Sequence, residues 1–465
     1  MATVDLVLAV DVGSTWCKAA YLDGQGRVIA TGRAPTRQIA PARNGTLEGF
    51  WEAFVLSVRQ ATSRLPDGSA LSAVGISCRA LFGVCLDRAG NGYLPAWDAA
   101  WDRSSPDGLY AYSPEVWGEK DPYAYGYATG FGALILWLRR TRPAEWQAIQ
   151  RVGALHDYIV LRLTGVWVTD PTTGPGQYVW PDEIAQMTGL PLGAFPPIAD
   201  PHCLAGGLSA EAAGALGLPP GTPVVVGMHD GAAANLGVGA IGVGDGCFTF
   251  GTNFVFRGVT GRRLTSRSMG YLITPGVWSW VGNIPGASAQ FEMATQMLAD
   301  GAPDVAARHA HLGSLADGVA PGAGTLCLRL VAPGREEELR QAVAAARQSG
   351  YSDGVIYRAI LEAVALGEWG LVARAQRDGV QPRRLVATGG GAANGPFLRV
   401  LASVLDAPVE MGAVEGGLLG AGMAAAVGGG WYASYDDAVA GMSAPGPVIR
   451  PDPDAAAFYR EIVHL

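Results

Sequence analysis

Residues 6–30, LVLAVDVGSTWCKAAYLDGQGRVIA, alternate apolar runs with tight turns. The first apolar run ends at Asp11, and a second run follows the Gly-Ser-Thr corner at residues 13–15. Asp23-Gly24 is a strong hairpin turn signal, so the stretch predicts a meander of three antiparallel strands. The predicted strands are residues 6–11, 15–22 and 27–33. Asp11 either shapes the turn through neighbouring N–H groups or binds a charged ligand.

Composition limits the classes of protein to which the chain can belong. At 465 residues it exceeds the size of one hydrophobic core, so two domains are expected. Its 49% hydrophobic and 16% charged residues are typical of a globular protein, and the net charge of −8 argues against nucleic acid or an anionic membrane as partner. No secretory signal and no membrane-spanning run are visible, which predicts a cytoplasmic protein. A monomer and a homodimer both stay open.

The six cysteines are scattered along the chain, without a C-x-x-C pair. No histidine is near enough to any of them to suggest a zinc site. Buried free thiols are therefore expected, although the count would also permit three disulfides.

Residues 221–258 repeat the pattern of the opening stretch. An apolar strand ends at Asp230, a short helix follows, and a hairpin flanks Gly251-Thr252. The repeat predicts an α/β protein with two domains of like construction and a catalytic cleft between them, with the boundary near residues 243–245. Helices are predicted within residues 123–165, at 351–379 and at the Gly- and Ala-rich segment 416–430.

The corner at Asp11 offers the groups that bind a polyphosphate and its magnesium ion. The backbone of Gly13, Ser14 and Thr15 supplies N–H donors, two of these residues add hydroxyls, and Lys18 adds an ammonium group. The Asp11 carboxylate is a hard ligand that suits Mg²⁺ or its bound water. The chain lacks a G-x-x-x-x-G-K-[ST] phosphate loop, which excludes that type of nucleotide site.

Asp230 is a candidate general base. It follows a strand and precedes the small residues 231–234, so it can accept a proton from a hydroxyl that attacks phosphorus. The alternative is a helix N-cap, a position that aspartate fills well. His229 beside it is interpreted as a packed or hydrogen-bonded side chain.

Two further corners could contact a nucleotide. Gly251-Thr252-Asn253 offers N–H groups and a hydroxyl, although an ordinary β-turn explains it too. Gly389, Gly390 and Gly391, with Asn394, leave room for a planar ring or a phosphate between a strand and a helix. The patterns G-x-G-x-x-G at residues 237–242 and G-x-G-x-x-A at 420–425 lie in helical contexts, which argues against a dinucleotide-binding fold.

Taken in order, these segments resemble the FGGY carbohydrate kinase family, whose two domains have the actin-like, ribonuclease-H-like fold. The resemblance covers nearly the whole chain. It is carried by DVGSTWCKA, LHDYIVLRLTGVWVTDPTTG, GMHDGAAANLGVGA, FGTN and ATGGGAANGPFLRVLASVLDAPVEM. It implies an N-terminal domain over 1–243 with the sugar site, first phosphate motif and catalytic aspartate. It also implies a C-terminal domain over 244–465 with the second phosphate motif and the adenosine motif.

The resemblance implies an ATP-dependent kinase that phosphorylates a hydroxyl of a small sugar or polyol. Candidate substrates are a ketopentose such as xylulose or ribulose, a tetritol or a pentitol. Asp230 is then the general base and Asp11 the ligand that organises Mg²⁺. The implied nucleotide contacts are Gly13, Ser14, Thr15, Lys18, Gly251, Thr252, Asn253, Gly389, Gly390, Gly391 and Asn394.

The chain departs from the family where the substrate is recognised. Xylulose-kinase-like members have Gln, Met and His in the segment that aligns with residues 77–83, and glycerol-kinase-like members have Arg-Glu; this chain has Arg79 followed by Ala80. Asp102 and Arg103 resemble a compressed W-x-D-x-R substrate loop, which implies substrate contacts from them, from Arg79 and from Asp230. A surface ion pair is the alternative for these charged residues. Residues 326–340 lack the family's G-E-R-x-P run, so no role transfers to them.

A different class of function also remains open. A nucleotide-binding sensor or scaffold on the same fold, with little turnover, would explain the unusual substrate segment. The presence of Asp11, Thr15 and Asp230 argues against it.

Overall fold

The structure is a computed structural model, and it describes residues 4–13, 15–36, 47–79, 83–93, 133–173, 186, 189–251, 253–264, 270–323, 326–332 and 335–463. The chain divides into two compact units. Unit 1 comprises Met1–Ile241, Thr265–Trp278 and Gly416–Ala444, and unit 2 comprises Gly242–Leu264, Ser279–Glu415 and Pro445–Leu465.

The strands, in chain order, are β1 Val4–Val12, β2 Cys17–Leu22, β3 Val28–Ala34, β4 Ser69–Cys78, β5 Gly83–Asp87, β6 Gly92–Tyr93, β7 Ile149–Ala154, β8 Leu204–Gly207, β9 Pro223–Val225, β10 Met228–His229, β11 Asp245–Phe250, β12 Phe254–Thr260, β13 Leu272–Thr274, β14 Val277–Ile284, β15 Arg384–Thr388, β16 Val409–Met411 and β17 Val448–Ile449. The helices are α1 Glu48–Thr62, α2 Ala133–Thr141, α3 Pro143–Ala148, α4 Leu155–Thr164, α5 Ala210–Leu216, α6 Asp230–Gly237, α7 Ala287–Leu298, α8 Val305–Ala316, α9 Glu336–Gln348, α10 Asp353–Arg377, α11 Gly395–Leu405, α12 Gly416–Gly428, α13 Tyr435–Met442 and α14 Pro453–Val463. Short 3₁₀ turns occupy Leu192–Ala194 and Gly390–Ala393.

The main sheet of unit 1 has the strand order β3-β2-β1-β4-β9-β8, and β10 also pairs with β4. The first three strands are antiparallel, as residues 6–30 predicted, whereas β4 is parallel to β1, β9 and β10. β1 reads as a nearly continuous apolar run because both faces of the sheet are covered. One core contains α1 and α4, and a second contains α6, α12 and α13. This arrangement brings the carboxyl ends of β1, β4 and β10 side by side.

Unit 2 repeats this plan. Apart from β13, which the division assigns to unit 1, its seven-stranded sheet runs in the order β14-β12-β11-β15-β16-β17. In this sheet β11 and β12 are antiparallel, and β15 is parallel to β11 and β16. The core on this sheet comes mainly from α7 to α11 and is rich in aromatic side chains such as Phe248, Phe256 and Trp280. Since the order of the first five strands matches that of unit 1, the predicted α/β fold with duplicated construction is confirmed.

Small residues let α6 and α12 lie in backbone contact within unit 1. A Cβ on Gly237 would overlap the carbonyl of Gly416, and a Cβ on Gly420 would overlap the carbonyl of Ala233. The small residues of the Gly- and Ala-rich segment 416–430 thus permit this close approach. It places the first residues of α12 near the end of β1.

The structure corrects two predictions about local structure. Residues 123–165 are not helical throughout, because Ile149–Ala154 forms β7, which pairs antiparallel with β5. All six cysteines are free, but only four are buried, and Cys203 and Cys327 are exposed. In the part of the chain that the structure describes, no helix is long and apolar enough to cross a membrane.

The first division between the units falls between Ile241 and Gly242, two residues before the predicted boundary. Residues 416–444, which the prediction assigned to the second domain, pack with unit 1. The division into 1–243 and 244–465, with the roles attached to each part, stays a prediction.

Candidate active site

Asp11 lies at the end of β1, between polar side chains of both neighbouring strands. It pairs with Lys18 on β2 and with Ser77 on β4, so the three side chains share one face of the sheet. The Ser77 hydroxyl donates a hydrogen bond of 2.7 Å to Oδ1. Oδ2 faces the start of α12, where a Cβ on Gly417 would lie 3.5 Å away. The hydroxyl of Ser77 thus ties the Asp11 carboxylate to β4.

The corner after β1 is tightly folded. Gly13 donates its N–H to the carbonyl oxygen of Trp16 over 3.1 Å, and a Cβ on Gly13 would lie 2.9 Å from the same oxygen. Glycine is therefore required there. Thr15 is half-buried beside it, whereas Ser14 lies outside the described residues.

Asp230 begins α6, directly after β10. In the parallel register Met228 pairs with Ser77 and His229 with Cys78, so β4 separates β1 from β10. Burial raises the pKa of the Cys78 thiol well above its usual value, and the charges of Asp230 and Asp11 raise it further. Cys78 itself pairs with Val12 on β1 and with His229 on β10, the residues next to the two aspartates in sequence. Asp11 thus lies near the end of β1, and Asp230 directly follows β10 on the other side of β4.

The Asp230 side chain is 45% exposed. Its Oδ1 accepts the N–H of Gly231 at 2.7 Å and lies 3.2 Å from Nε2 of His229. The N-cap of α6 is His229, whose Nδ1 accepts the N–H of Ala232 over 3.1 Å. His229, and not Asp230, therefore fills the helix N-cap position that the sequence suggested as an alternative role for Asp230.

A buried polar cluster lies behind the β10–α6 turn. The Thr172 hydroxyl accepts the N–H of His229 over 2.9 Å and donates to Oδ1 of Asp170. Oδ2 of Asp170 lies 3.7 Å from Nδ1 of the fully buried His156. Burial would lower the pKa of His156, but its hydrogen bond to the Asp157 carboxylate and the charge of Asp170 outweigh burial and hold that pKa above its ordinary value.

The glycine run of unit 2 serves two purposes. Gly389 has a φ of +89°, and a Cβ there would lie 2.8 Å from the carbonyl oxygen of Phe250. A Cβ on Gly391 would lie 2.7 Å from Cβ of Phe250. Gly390 has open space on its Cα, with nothing within 4 Å of a Cβ. Packing against β11 explains the outer two glycines, and the middle one leaves backbone accessible.

Asn394 is the N-cap of α11. Its Oδ1 accepts the N–H of Phe397 over 3.1 Å, and its Nδ2 donates to the hydroxyl of Tyr357 over 3.0 Å. The residue is only 7% exposed. Its side chain thus shapes the start of the helix at which the predicted nucleotide contacts lie.

The corner between β11 and β12 is held by Asn253. Gly251 donates its N–H to the carbonyl of Asn253 over 3.2 Å, and Oδ1 of Asn253 accepts the N–H of Gly286 over 3.0 Å. Open space surrounds the Cα of Gly251. Thr252, the third residue of this corner, lies outside the described residues.

The predicted substrate residues are described only in part. Arg79 directly follows β4, is half-buried and donates its N–H to the carbonyl of Val12 over 3.0 Å. Asp102 and Arg103 lie outside the described residues. Val331, in the atypical segment 326–340, makes two hydrogen bonds with the buried Gln290 of α7. The Gln290 side chain accepts the N–H of Val331 over 2.7 Å and donates to its carbonyl over 2.8 Å.

Sequence reasoning assigned no role to Ser77 or Thr172. Ser77 lies in an ordinary strand, and only its pairing opposite Asp11 shows its use. Thr172 follows the buried Asp170, whose Oδ1 accepts the N–H groups of Thr172 and Thr173. The sequence Asp-Pro-Thr-Thr at residues 170–173 is a turn signal that could have indicated this loop.

A magnesium ion fits one part of this arrangement. Mg²⁺ commonly takes one or two carboxylates together with water and phosphate oxygens. Asp11 supplies one half-buried carboxylate, and Gly417 leaves the side of Oδ2 without a Cβ. Within the described residues no group of three or more His, Cys, Asp or Glu side chains forms a metal cluster.

Comparison with known proteins gives a consistent result. Residues 123–237 match the model of the FGGY family of carbohydrate kinases, N-terminal domain, and residues 269–429 match that of the C-terminal domain. Together these matches cover more than half of the chain. The Asp11 corner lies before the first of them.

Relatives and solved structures extend the likeness to the whole length. An erythritol kinase of Brucella abortus is 26% identical, over 98% of this chain and 94% of that protein. An autoinducer-2 kinase of Yersinia enterocolitica is 29% identical over 53% of this chain and 50% of its own length. The structure of a xylulose kinase from Rhodospirillum rubrum superposes with a TM-score of 0.80 at 24% identity, covering 99% of this chain and 97% of that one.

Proposed function

The chain belongs to the FGGY family of carbohydrate kinases and is a sugar or polyol phosphotransferase, and we propose that Asp230 is the general base of its phosphoryl transfer from ATP. The acceptor is a small sugar or polyol. The observation that carries the proposal is the position of Asp230 at the carboxyl end of β10, with a 45% exposed carboxylate whose Oδ1 alone is engaged by neighbouring donors. Among the described residues, none donates a hydrogen bond to Oδ2.

In the proposed reaction a substrate hydroxyl attacks the γ-phosphorus of ATP as its proton passes to Oδ2 of Asp230. The new bond joins the substrate oxygen to phosphorus, and the bond from phosphorus to the β,γ-bridging oxygen breaks to release ADP. General-base assistance of this kind contributes roughly 10²- to 10⁴-fold to the rate. Exclusion of water matters because water would compete with the substrate hydroxyl.

Asp11 would hold the magnesium ion that accompanies ATP. The bound ion would neutralise part of the charge on the phosphate oxygens. Ser77 orients the carboxylate by its bond to Oδ1, and the ion or its water would approach from the side of Oδ2, where Gly417 has no Cβ. The Gly13 corner with Lys18 and the open backbone at Gly251 and Gly390 are proposed to contact the phosphates and the nucleoside.

A tetritol is the first acceptor to test, because a relative that matches nearly the full length of the chain is an erythritol kinase. ADP release coupled to a reporter enzyme should be measured with erythritol, xylulose, ribulose, pentitols and glycerol. We expect at least one of these to stimulate ADP release well above the rate with ATP alone. ATP binding at micromolar concentration without stimulation by any acceptor would contradict the proposal and favour the sensor alternative.

A further inference from the structure

His229 uses its two ring nitrogens for different tasks. Nδ1 accepts the backbone N–H of Ala232 over 3.1 Å and so caps α6. An acceptor nitrogen carries no proton, and a neutral imidazole then has its proton on the other nitrogen. Nε2 therefore carries the hydrogen, and it lies 3.2 Å from Oδ1 of Asp230.

We propose that His229 is a positioning residue for Asp230: as the Nε2–H tautomer fixed by the cap of α6, it holds Oδ1 and leaves Oδ2 to take the substrate proton. This inference rests on the proposed function of Asp230 as the base. The N–H of Gly231 donates to the same Oδ1 at 2.7 Å. This hydrogen bond and the close Nε2 group together restrict rotation of a carboxylate that is otherwise half-exposed.

The imidazole is itself held on several sides. Its side chain is 6% exposed, and the ring of Tyr271 packs edge to face with it at 4.3 Å between centroids. The backbone N–H of His229 donates to Thr172, whose hydroxyl donates to the buried Asp170. The ring and the backbone that carries Asp230 are therefore fixed by the same turn.

The arrangement serves both protonation states of the base. When Oδ2 takes the substrate proton, Oδ1 becomes the carbonyl oxygen of a neutral acid and still accepts from Nε2–H. No proton leaves the histidine, so His229 takes no part in the bond changes. Its effect is to keep Asp230 in one orientation before and after transfer, which matters because small misplacements of a reacting group cost up to about 10²-fold in rate.

Two substitutions separate the tasks of the ring. In His229→Asn the amide oxygen can replace Nδ1 as the cap acceptor, but no donor reaches the place of Nε2. In His229→Gln the amide can place a donor near Nε2, while the cap is lost. We expect His229→Asn to lower kcat by about ten- to a hundredfold with an unchanged KM for ATP. His229→Gln should restore kcat to within about threefold of wild type while melting at a lower temperature than His229→Asn.

His311→Asn, an exposed histidine on α8, is the matched control and should behave as wild type. Each variant is assayed with the best acceptor of the panel, alongside Asp230→Asn. If Asp230→Asn retains turnover, the proposed base is wrong. If Asp230→Asn loses turnover but His229→Asn keeps the wild-type kcat, the base stands and the positioning role is refuted.

A spectroscopic test does not depend on turnover. ¹⁵N resonances of histidine-labelled protein at neutral pH report which ring nitrogen carries the proton, and His229→Gln assigns the signal. We expect an unprotonated Nδ1 and a protonated Nε2 for His229. A proton on Nδ1 would overturn the inference whatever the kinetics show.

Discussion

Glu368 carries a carboxyl group that is buried without a hydrogen-bond partner among the described residues. It lies on α10 on the same face as Val364 and Val372, one turn away in either direction. The residue is fully buried, and neither carboxyl oxygen has a hydrogen-bond partner within the described residues. Burial raises its pKa to about 8. At neutral pH the folded protein therefore keeps this glutamate protonated.

The sign of the pH dependence follows from proton binding. In the unfolded chain the pKa of glutamate is about 4.3, so between that value and about 8 the folded state holds a proton that the unfolded state releases. The resulting stabilisation is fully present below the unfolded pKa and is lost as the pH rises through the folded pKa. Its slope is about 1.4 kcal/mol per pH unit, so raising the pH from about 5.5 to about 7.5 should cost roughly 3 kcal/mol of unfolding free energy.

Glu368→Gln removes this titration and keeps the shape of the side chain. Urea denaturation followed by tryptophan fluorescence, at about pH 5.5 and about pH 7.5, gives the unfolding free energy of each protein. We expect the variant to gain roughly 3 kcal/mol relative to wild type between the two pH values, because all other titrating groups are common to both proteins. Glu461→Gln, an exposed glutamate on α14, is the control and should show no such gain. Parallel pH profiles for Glu368→Gln and wild type would refute the reasoning.

Three further outcomes test the site. Asp11→Asn should raise the magnesium concentration needed for half-maximal activity and lower kcat, as measured by ADP release over a magnesium titration. An unchanged magnesium concentration at half-maximal activity would show that Asp11 does not bind the metal. Gly390→Ala should weaken ATP binding, measured by calorimetry, with little loss of melting temperature. Gly389→Ala should instead lower the melting temperature, because its φ of +89° and the nearby carbonyl of Phe250 oppose a side chain. The reverse pattern would contradict the separate roles given to these two glycines. Thr172→Val should lower kcat by about tenfold and leave the KM for ATP unchanged, because the N–H of His229 loses its acceptor. A wild-type kcat would show that this hydrogen bond does not position Asp230.

The sequence predicts best those parts of the site whose structure depends on residues that are neighbours in the chain. Strand, turn and helix signals placed Asp11 and Asp230 at strand ends, and the structure shows both at the same edge of one sheet. Glycine spacing likewise located the β15–α11 turn. It could not distinguish Gly389, which packs on Phe250, from Gly390, which has open space around its Cα, because that difference depends on the neighbouring strand.

Contacts made across the sheet were not predictable. Ser77 is 66 residues from Asp11 in sequence, and only the parallel register of β1 and β4 brings its hydroxyl to that carboxylate. The helical pattern around residues 149–154 likewise gave no sign of β7, whose six residues become a strand by pairing with β5. Tertiary pairing outweighs local propensity in such short elements.

The packing of α12 brings a segment from late in the sequence next to α6, which begins at Asp230, and next to Asp11. The helix comes after residue 415, yet Gly416 and Gly420 meet the backbone of α6, whose first residue is Asp230. Gly417, the second residue of α12, faces Oδ2 of Asp11. A larger side chain at the α6 contact would push α12 away from the helix that begins with Asp230. Helical glycines normally destabilise a helix by roughly 1 kcal/mol relative to alanine, so their use here is explained by the close approach that they permit.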